Sequence, residues 1–401
     1  MKVMNKWKKA GALVVAAAVL GSTSVLPGSG LITGHAAGSE TPLGSYTEEE
    51  MAAFQDNVLE YWEIQGLVEH YNPSYLNQLE VYNGNPDGSS GLSKEQLQNM
   101  AITFRDEAKE LKEEAEDLKD SISEDAYQEY QDNIKTLKRY AKEMESSAKG
   151  TASTRRALRI VRNQLTVNVS AQMRAYQSLV AQDEITQKSL ELAELTYASA
   201  QRQKDLGMYS MENLLTIEDS LNSARATADA SAAAVVQSRQ NLILALGWSY
   251  DGNPEILAVP EPDAAKIETY DLTADTELAV GANYDVIDIR TTDKSEFNST
   301  ADKKRQIKEK EDQVRVQMEF LYRDVEQKLL SYNTALDGWT VAESNKAMAD
   351  RKYQLGMISK AEYLAEEITW LTAKASKEQA ALDLVGSMET YEWAITGLME
   401  L

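Results

Sequence analysis

The side chains able to do covalent or acid–base chemistry are few in kind. The chain has no cysteine and two histidines, His35 and His70, among 401 residues. That removes thiol catalysis, a disulfide framework and Cys-based metal sites from consideration. His35 belongs to a removable leader (below), which leaves His70 alone. One imidazole cannot furnish a His-rich zinc site, nor a Ser-His triad with spare parts. Next to Tyr71 and Asn72, it reads as a surface residue. Carboxylates are plentiful, 64 Asp and Glu against 41 Lys and Arg. They follow helical surfaces and form no distinctive pair for general acid–base work. The chain is therefore read as not an enzyme, with no catalytic residue, cofactor or metal site. A secreted carboxylate enzyme is the weakest of three readings, because it requires a pocket and a long coiled coil supplies few.

What recurs instead is a turn. RQKDLGMYSMENLL, Arg202 to Leu215, returns as RKYQLGMISKAEYL, Arg351 to Leu364, 149 positions on (351 − 202). Gly207 and Gly356 stand where a helix needs a left-handed residue past its end, each followed by an apolar Met208 or Met357. Ser210 is a good N-cap for the next helix, with Tyr209 and Leu214 spaced as a hydrophobic staple. In the second copy Ser359 with Glu362 makes a capping box, and Ile358 with Tyr363 supplies the staple. Stop and start signals agree, so each segment is expected to be a tight tip closing a long helical hairpin.

The elements that carry these tips are read from proline spacing and apolar period. Beyond residue 37, prolines fall at 42, 73, 86, 254, 260 and 262. Residues 87–253 and 263–401 are thus free of the strongest helix breaker. Leu158, Val161, Leu165, Val169, Met173, Tyr176 and Val180 fall on one helical face. After the first tip Leu214, Ile217, Leu221, Ala224 and Ala228 continue the 3–4 spacing of coiled-coil packing. A helix from about Thr151 to Leu206 would be on the order of 80 Å long. The fold class is all-α: elongated antiparallel coiled-coil helical hairpins.

Lys2, Lys6, Lys8 and Lys9 precede the apolar run Ala10–Leu20, and small residues lead to His35-Ala36-Ala37. Residues 1–37 are read as a signal peptide. Its removal takes the formal charge from −23 to −27 by loss of those four lysines. Such a surface repels nucleic acid. Gly252–Asp263, with three prolines, reads as an extended linker between a first repeat, 38–262, and a second, 263–401. His70-Tyr-Asn-Pro near the start of one answers Gly281-Ala-Asn-Tyr in the other, and Leu244-Ala-Leu-Gly-Trp248 answers Ala394-Ile-Thr-Gly-Leu398. The interval from Asn72 to Gly207 exceeds that from Asn283 to Gly356 by 62 residues. A charged helical insertion at about 87–150 fills the difference, capped at Ser93 with Gln96 and at Ser123. It is read first as a solvated helical hairpin and second as a partner-binding arm.

The two-fold repeat, the Asn-Pro near its start, the R-x3-L-G-x-x-S tips, the Ala-rich return helix and the closing Leu-Gly together resemble the TolC-like outer-membrane efflux protein family. The resemblance covers most of residues 47–401 and is strongest at 158–262 and 313–398. It implies a homo-oligomer, a trimer, of hairpins forming a hollow helical barrel whose tips face a membrane-fusion-type adaptor coupled to a pump. Carried over, the partner-binding tips comprise Arg202, Leu206, Gly207, Met208, Tyr209 and Ser210, and Arg351, Leu355, Gly356, Met357, Ile358 and Ser359. The glycines and serines are expected to cap helices first. Met208, Tyr209, Met357 and Ile358 are expected to be exposed and to do the docking.

One departure matters. The family inserts barrel strands between the long helices of each repeat, whereas Thr291–Lys304 is short and polar and the first-copy region is the charged insertion. Val286–Arg290 is expected to form at most one small strand. The leading reading is an extracytoplasmic component of an export or efflux assembly, docking an adaptor or an ABC transporter. The other is a secreted or wall-associated coiled-coil scaffold without transport.

Overall fold

The computed structural model describes residues 46–86, 88, 90–119 and 123–399, so the expected leader lies outside the described residues. In chain order the elements are α1 (Glu48–Ala53), β1 (Val58–Leu59), α2 (Ile64–Tyr71), α3 (Pro73–Gly84), α4 (Lys94–Leu118), α5 (Glu124–Ala148), α6 (Ala152–Asp205) and α7 (Met211–Ala245). There follow β2 (Glu255–Ile256), α8 (Ala264–Ile267), α9 (Leu272–Ala282), α10 (Tyr284–Thr291), α11 (Thr300–Gln354) and α12 (Lys360–Ile395). The chain is all-α, built of antiparallel helical hairpins in two tandem repeats. α6 and α11 hold 54 and 55 residues, each on the order of 80 Å at 1.5 Å per residue. Among the described residues the only strands are β1 and β2, paired parallel with Val58 opposite Glu255 and Leu59 opposite Ile256.

Two compact units divide the chain, Asn77–Arg159 and Tyr46–Leu76 with Ile160–Leu401. The first contains the insertion. Its helices α4 and α5 pack as a hairpin over Phe104, Ala108, Ile134, Leu137 and Ala141. Both starts are capped as the spacing predicted. Ser93 and Gln96 exchange reciprocal bonds of 3.2 and 2.8 Å, and Ser123 accepts from the Ala126 N–H at 3.3 Å. At the base, the Tyr82 hydroxyl donates to the Lys149 carbonyl at 2.7 Å, and Thr154 donates to the Pro86 carbonyl at 2.9 Å. Gly150, at φ +72°, lies so close to Pro86 and Tyr82 that a Cβ would meet the Pro86 carbonyl oxygen at 2.5 Å.

The second unit holds the two long hairpins. On α11, Val314, Met318, Leu321 and Val325 are buried at steps of four, three and four. They meet Leu384, Met388 and Tyr391 of α12, with Ala279, Val280 and Val286 contributed from α9 and α10. Each fully buried side chain of this size contributes about 1.5–3 kcal/mol by transfer from water. Toward the far end the register is heptad-like, with Leu214, Leu221 and Ala228 buried on α7 and Leu364 and Leu371 on α12. Ion pairs tie α6 to α12 in antiparallel order: Glu184 to Lys374 at 3.3 Å, Lys188 to Glu367 at 3.5 Å, and Glu191 to Lys360 at 3.0 Å. Both tips therefore lie at the same end of this unit.

At the opposite end the repeat is visible as one contact made twice. Asn72 accepts from the Tyr75 N–H at 2.9 Å, and Asn283 accepts from the Asp285 and Val286 N–H groups at 3.1 Å each. Facing them, Gly247 and Gly397 end α7 and α12 at φ +89° and +99°. A Cβ on Gly247 would meet Tyr71 Cβ at 2.5 Å, and one on Gly397 the Ala282 carbonyl oxygen at 2.1 Å. Tyr71 and Ala282 each precede their asparagine, so the two seams are equivalent. The Asn283 cap also explains a correction. Val286–Arg290, expected as a strand, lies within α10, because a satisfied N-cap outweighs the β preference of Val286, Ile287 and Ile289.

The proline-rich linker does not run free. Gln177 of α6 donates to the Leu257 carbonyl at 2.8 Å and accepts from the Val259 N–H at 3.0 Å, mimicking a strand partner. Glu261 bonds Lys377 and, at 3.0 Å, the Tyr332 hydroxyl. The Lys377 hydrogen bond comes first among the causes that hold the Glu261 carboxyl below its ordinary range. A second correction concerns His70. It is half-buried rather than a surface residue, with its ring 5.5 Å from Tyr46 and 6.0 Å from Phe54. The sequence around it is apolar on the facing helix turns, Leu67 and Val68 being buried, and that face pulls His70 inward.

Candidate docking site

Each tip is one Schellman stop followed by a serine-capped start. In the first, Gly207 donates to the Lys204 carbonyl at 2.8 Å and Met208 to Gln203 at 2.9 Å. In the second, Gly356 donates to Tyr353 at 3.0 Å and Met357 to Lys352 at 2.8 Å. These bonds satisfy the otherwise orphaned carbonyls of the last turn. The glycines sit at φ +74° and +68°, with no neighbour within 4 Å of an added Cβ. Their requirement is conformational, not steric. Ser210 accepts from the Asn213 N–H at 3.2 Å, and Ser359 from the Glu362 N–H at 3.2 Å. The reciprocal Glu362 bond, 2.7 Å from the Ser359 N–H, completes the box and draws the Glu362 carboxyl below its ordinary range.

The tips differ from expectation in which apolar residues they present. Met208 and Met357 are 74 % and 69 % exposed. Tyr209 and Ile358, expected to be exposed with them, are half-buried, because each precedes an N-cap and turns toward the helix it staples. Leu206 and Leu355 are instead exposed, both at 74 %. Each is the residue before the glycine, where the closing turn directs it away from the hairpin interior. Met211 and Leu215 add exposed apolar surface to the first tip alone. Arg202 and Arg351 are exposed on the last helical turns, and the Arg202 Nε donates back to the Ala198 carbonyl at 3.1 Å. Cations at that position complement the helix dipole.

Behind the second tip stands a bracing network that the spacing did not announce. The Lys346 ammonium bonds Asp350 and, at 2.9 Å, the Tyr363 hydroxyl, which itself donates to Asp350 at 2.9 Å. Burial pulls the Lys346 ammonium down, but the bonds to Asp350 and Tyr363 outweigh it and its pKa is raised. Tyr363 stacks on Tyr353 at 4.5 Å, and Trp339 meets Trp370 at 5.4 Å across the same hairpin. The first hairpin has Lys204, Leu214 and Leu221 at the corresponding places. Its cross-strut there is an exposed pair, Arg225 to Glu194 at 3.4 Å, of a kind that contributes at most about 1 kcal/mol. The i,i+4 spacing of Lys346 and Asp350 and the tyrosines on either side of Gly356 were the available signals.

Between hairpins near the tips, Lys188 bonds Glu191 at 3.2 Å while Glu191 also meets Lys360 at 3.0 Å. The Lys360 and Lys188 bonds hold the Glu191 carboxyl low, and the Glu191 bond raises the Lys188 ammonium. Among the described residues no group of three or more acidic or imidazole side chains is placed to hold a metal ion. What the tips offer is apolar surface on a capped turn.

No family model matches the chain, and no curated protein matches it. The chain is similar to several solved structures. The Campylobacter jejuni CmeC outer membrane channel aligns over 94 % of this chain and 95 % of its own, at 12 % identity and a TM-score of 0.43. The outer membrane protein VceC from Vibrio cholerae aligns over 84 % and 97 %, at 11 % identity and a TM-score of 0.41. A membrane protein from Pseudomonas aeruginosa aligns over 82 % and 93 %, at 12 % identity and a TM-score of 0.39.

Proposed function

We propose that this chain is an extracytoplasmic component of a TolC-like efflux or export assembly, exported by its leader and held in the cell envelope. It docks an adaptor protein, or the extracellular part of an ABC transporter, through its two tips. The observation that supports this is the duplicated turn presenting Leu206, Met208, Leu355 and Met357 to solvent. Exposed side chains of this size at a loop tip stabilise nothing within the chain, and their burial on a partner would contribute about 1.5–3 kcal/mol each. The work of such a component is positional, so no side chain need turn over a substrate. No helix among the described residues is long and apolar enough to cross a membrane.

The test is photo-crosslinking in the native cell from residues introduced at Leu206 and Leu355, with the adduct identified by mass spectrometry. An adaptor or transporter ectodomain is the expected capture. Wall proteins alone, or no adduct, would sink the docking reading in favour of the scaffold. The reading also requires a homo-oligomer, a trimer by the family resemblance. Val316, Phe320, Leu330 and Val341 of α11 are all more than 60 % exposed. At 100° per residue they fall within roughly 80° of one face, the kind of stripe a second copy covers. Sedimentation equilibrium should give an oligomer, and Phe320→Glu with Val341→Glu should reduce it to monomer. A monomeric parent chain would defeat that part of the reading.

A further inference from the structure

The methionines of the chain are sorted by position. Met173 and Met318 are fully buried and Met388 is 6 % exposed, while Met51, Met100, Met144 and Met399 are half-buried. Among the described residues the exposed ones are Met208, Met211, Met357 and Met348, at 74, 56, 69 and 49 %. Three belong to the tips, and Met348 lies on α11 shortly before the second. The residue after a Schellman glycine commonly folds back on the helix it ends. Met208 and Met357 make the backbone bonds of that motif yet leave their side chains in solvent. Their thioethers contribute little to the fold and are open to reagents.

We infer that the tip methionines Met208, Met211 and Met357 are oxidation sites at which peroxide releases the tips from their partner without unfolding the chain. This rests on the docking reading above. The sulfur lone pair takes one oxygen from hydrogen peroxide as the O–O bond breaks; water leaves, and the thioether is oxidised by two electrons to a sulfoxide. A flexible apolar side chain becomes a polar one, which disfavours an apolar contact. A sulfoxide reductase reverses the change. Buried Met173, Met318 and Met388 are shielded, so the cores keep their packing while the docking surface changes.

Two measurements on the full-length chain test this. Peptide mapping after graded hydrogen peroxide should show sulfoxide at Met208, Met211 and Met357 well before Met173, Met318 and Met388, with helical circular dichroism unchanged. Equal rates at the two sets, or loss of helicity at the dose that modifies the tips, would overturn the inference. Crosslinking from Leu206 and Leu355 should then fall on the order of ten-fold on peroxide treatment, as loss of one buried side chain's contribution implies. In a variant with Met208, Met211 and Met357 all replaced by Leu, capture should be the same before and after peroxide, whatever its starting level, and a peroxide-dependent fall in that variant would place the switch elsewhere and overturn the inference. Capture that peroxide leaves unchanged in the parent chain overturns the switch alone. Absence of capture without peroxide overturns the docking reading and the switch with it.

Discussion

Four glycines end the four long arms of the second unit's hairpins in the same left-handed conformation, yet their surroundings differ, and this predicts a graded response to one methyl group. Gly207 and Gly356 have no neighbour within 4 Å of an added Cβ, whereas Gly247 and Gly397 would place it 2.5 Å from Tyr71 Cβ and 2.1 Å from the Ala282 carbonyl oxygen. Alanine at either tip should therefore cost only the left-handed backbone term, roughly 1–2 kcal/mol. At either seam, overpacking of about 1–3 kcal/mol adds to that term and gives about 2–5 kcal/mol. Gly397→Ala should be the worse of the two seam variants, because its backbone obstacle lies closer, 2.1 Å to the Ala282 carbonyl oxygen against 2.6 Å to that of Tyr71 at Gly247. The assay is urea unfolding followed by circular dichroism, paired with amide exchange around each glycine, since two compact units need not melt as one transition. Replacing Gly207 and Gly356 together by Val should open both tips to exchange while the helices persist. Equal losses at tip and seam, or wholesale loss of helicity in the double Val variant, would refute the open-tip geometry.

Two further expectations concern charge. Glu362 has its carboxyl pKa lowered by the Ser359 backbone N–H. Its contribution to the second tip should thus be fully present above the unfolded value of about 4.3 and lost as pH falls through the folded one. Protection factors at the Lys360–Glu362 amides, taken against the intrinsic exchange rate at each pH from 6 to 3, should fall more steeply than at Met211–Asn213, and Glu362→Gln should abolish the difference; parallel profiles in the parent chain would contradict this. In the second unit Arg162 and Glu69 form a 2.7 Å pair with side chains 11 % and 5 % exposed. Arg162→Met strands a buried carboxylate and should cost about 3–5 kcal/mol, most of which Glu69→Leu should restore in the double variant. Equal urea midpoints for the single and double variants would show the pair is not buried as a unit.

The parts of this fold that were legible in the sequence are those whose causes lie within a few residues. A glycine past a helix end, a serine cap and a glutamate three residues on act through the local backbone, so both tips and the caps at Ser93 and Ser123 could be read from spacing. The apolar face was legible for the same reason over part of its length: Leu158, Val169 and Met173 are buried, Val161, Leu165 and Tyr176 are half-buried, and Val180, expected on the same face, is exposed. The polar flank of that face was not legible. Asn163, Thr166 and Ser170 are buried as well, because Asn163 bonds Tyr284 at 3.2 Å and accepts from Arg162 at 2.9 Å, and Tyr284 lies in the other repeat. The inward placement of His70 against Tyr46 and Phe54 and the clasp of Gln177 on the linker likewise depend on partners distant in sequence, whereas the helix at Val286–Arg290 follows from the nearby Asn283 cap, a local signal that the branched residues masked.

The asymmetry between the tips is the consequence with most bearing on function. Duplication supplied two copies of one turn, and each copy kept the residues that make the turn. Around the second, Lys346, Asp350, Tyr353 and Tyr363 form a closed set of hydrogen bonds and ring contacts. Around the first, Leu214 is the buried residue, and Met211 and Leu215 face solvent at 56 % and 50 %. A braced turn loses little entropy when a partner closes on it, and a looser, more apolar one gains more from burial. A partner seated on both would meet one preformed contact and one adaptable contact. The first tip, with Met208 and Met211 at its apex, is the adaptable one, since unbranched thioethers repack at low cost.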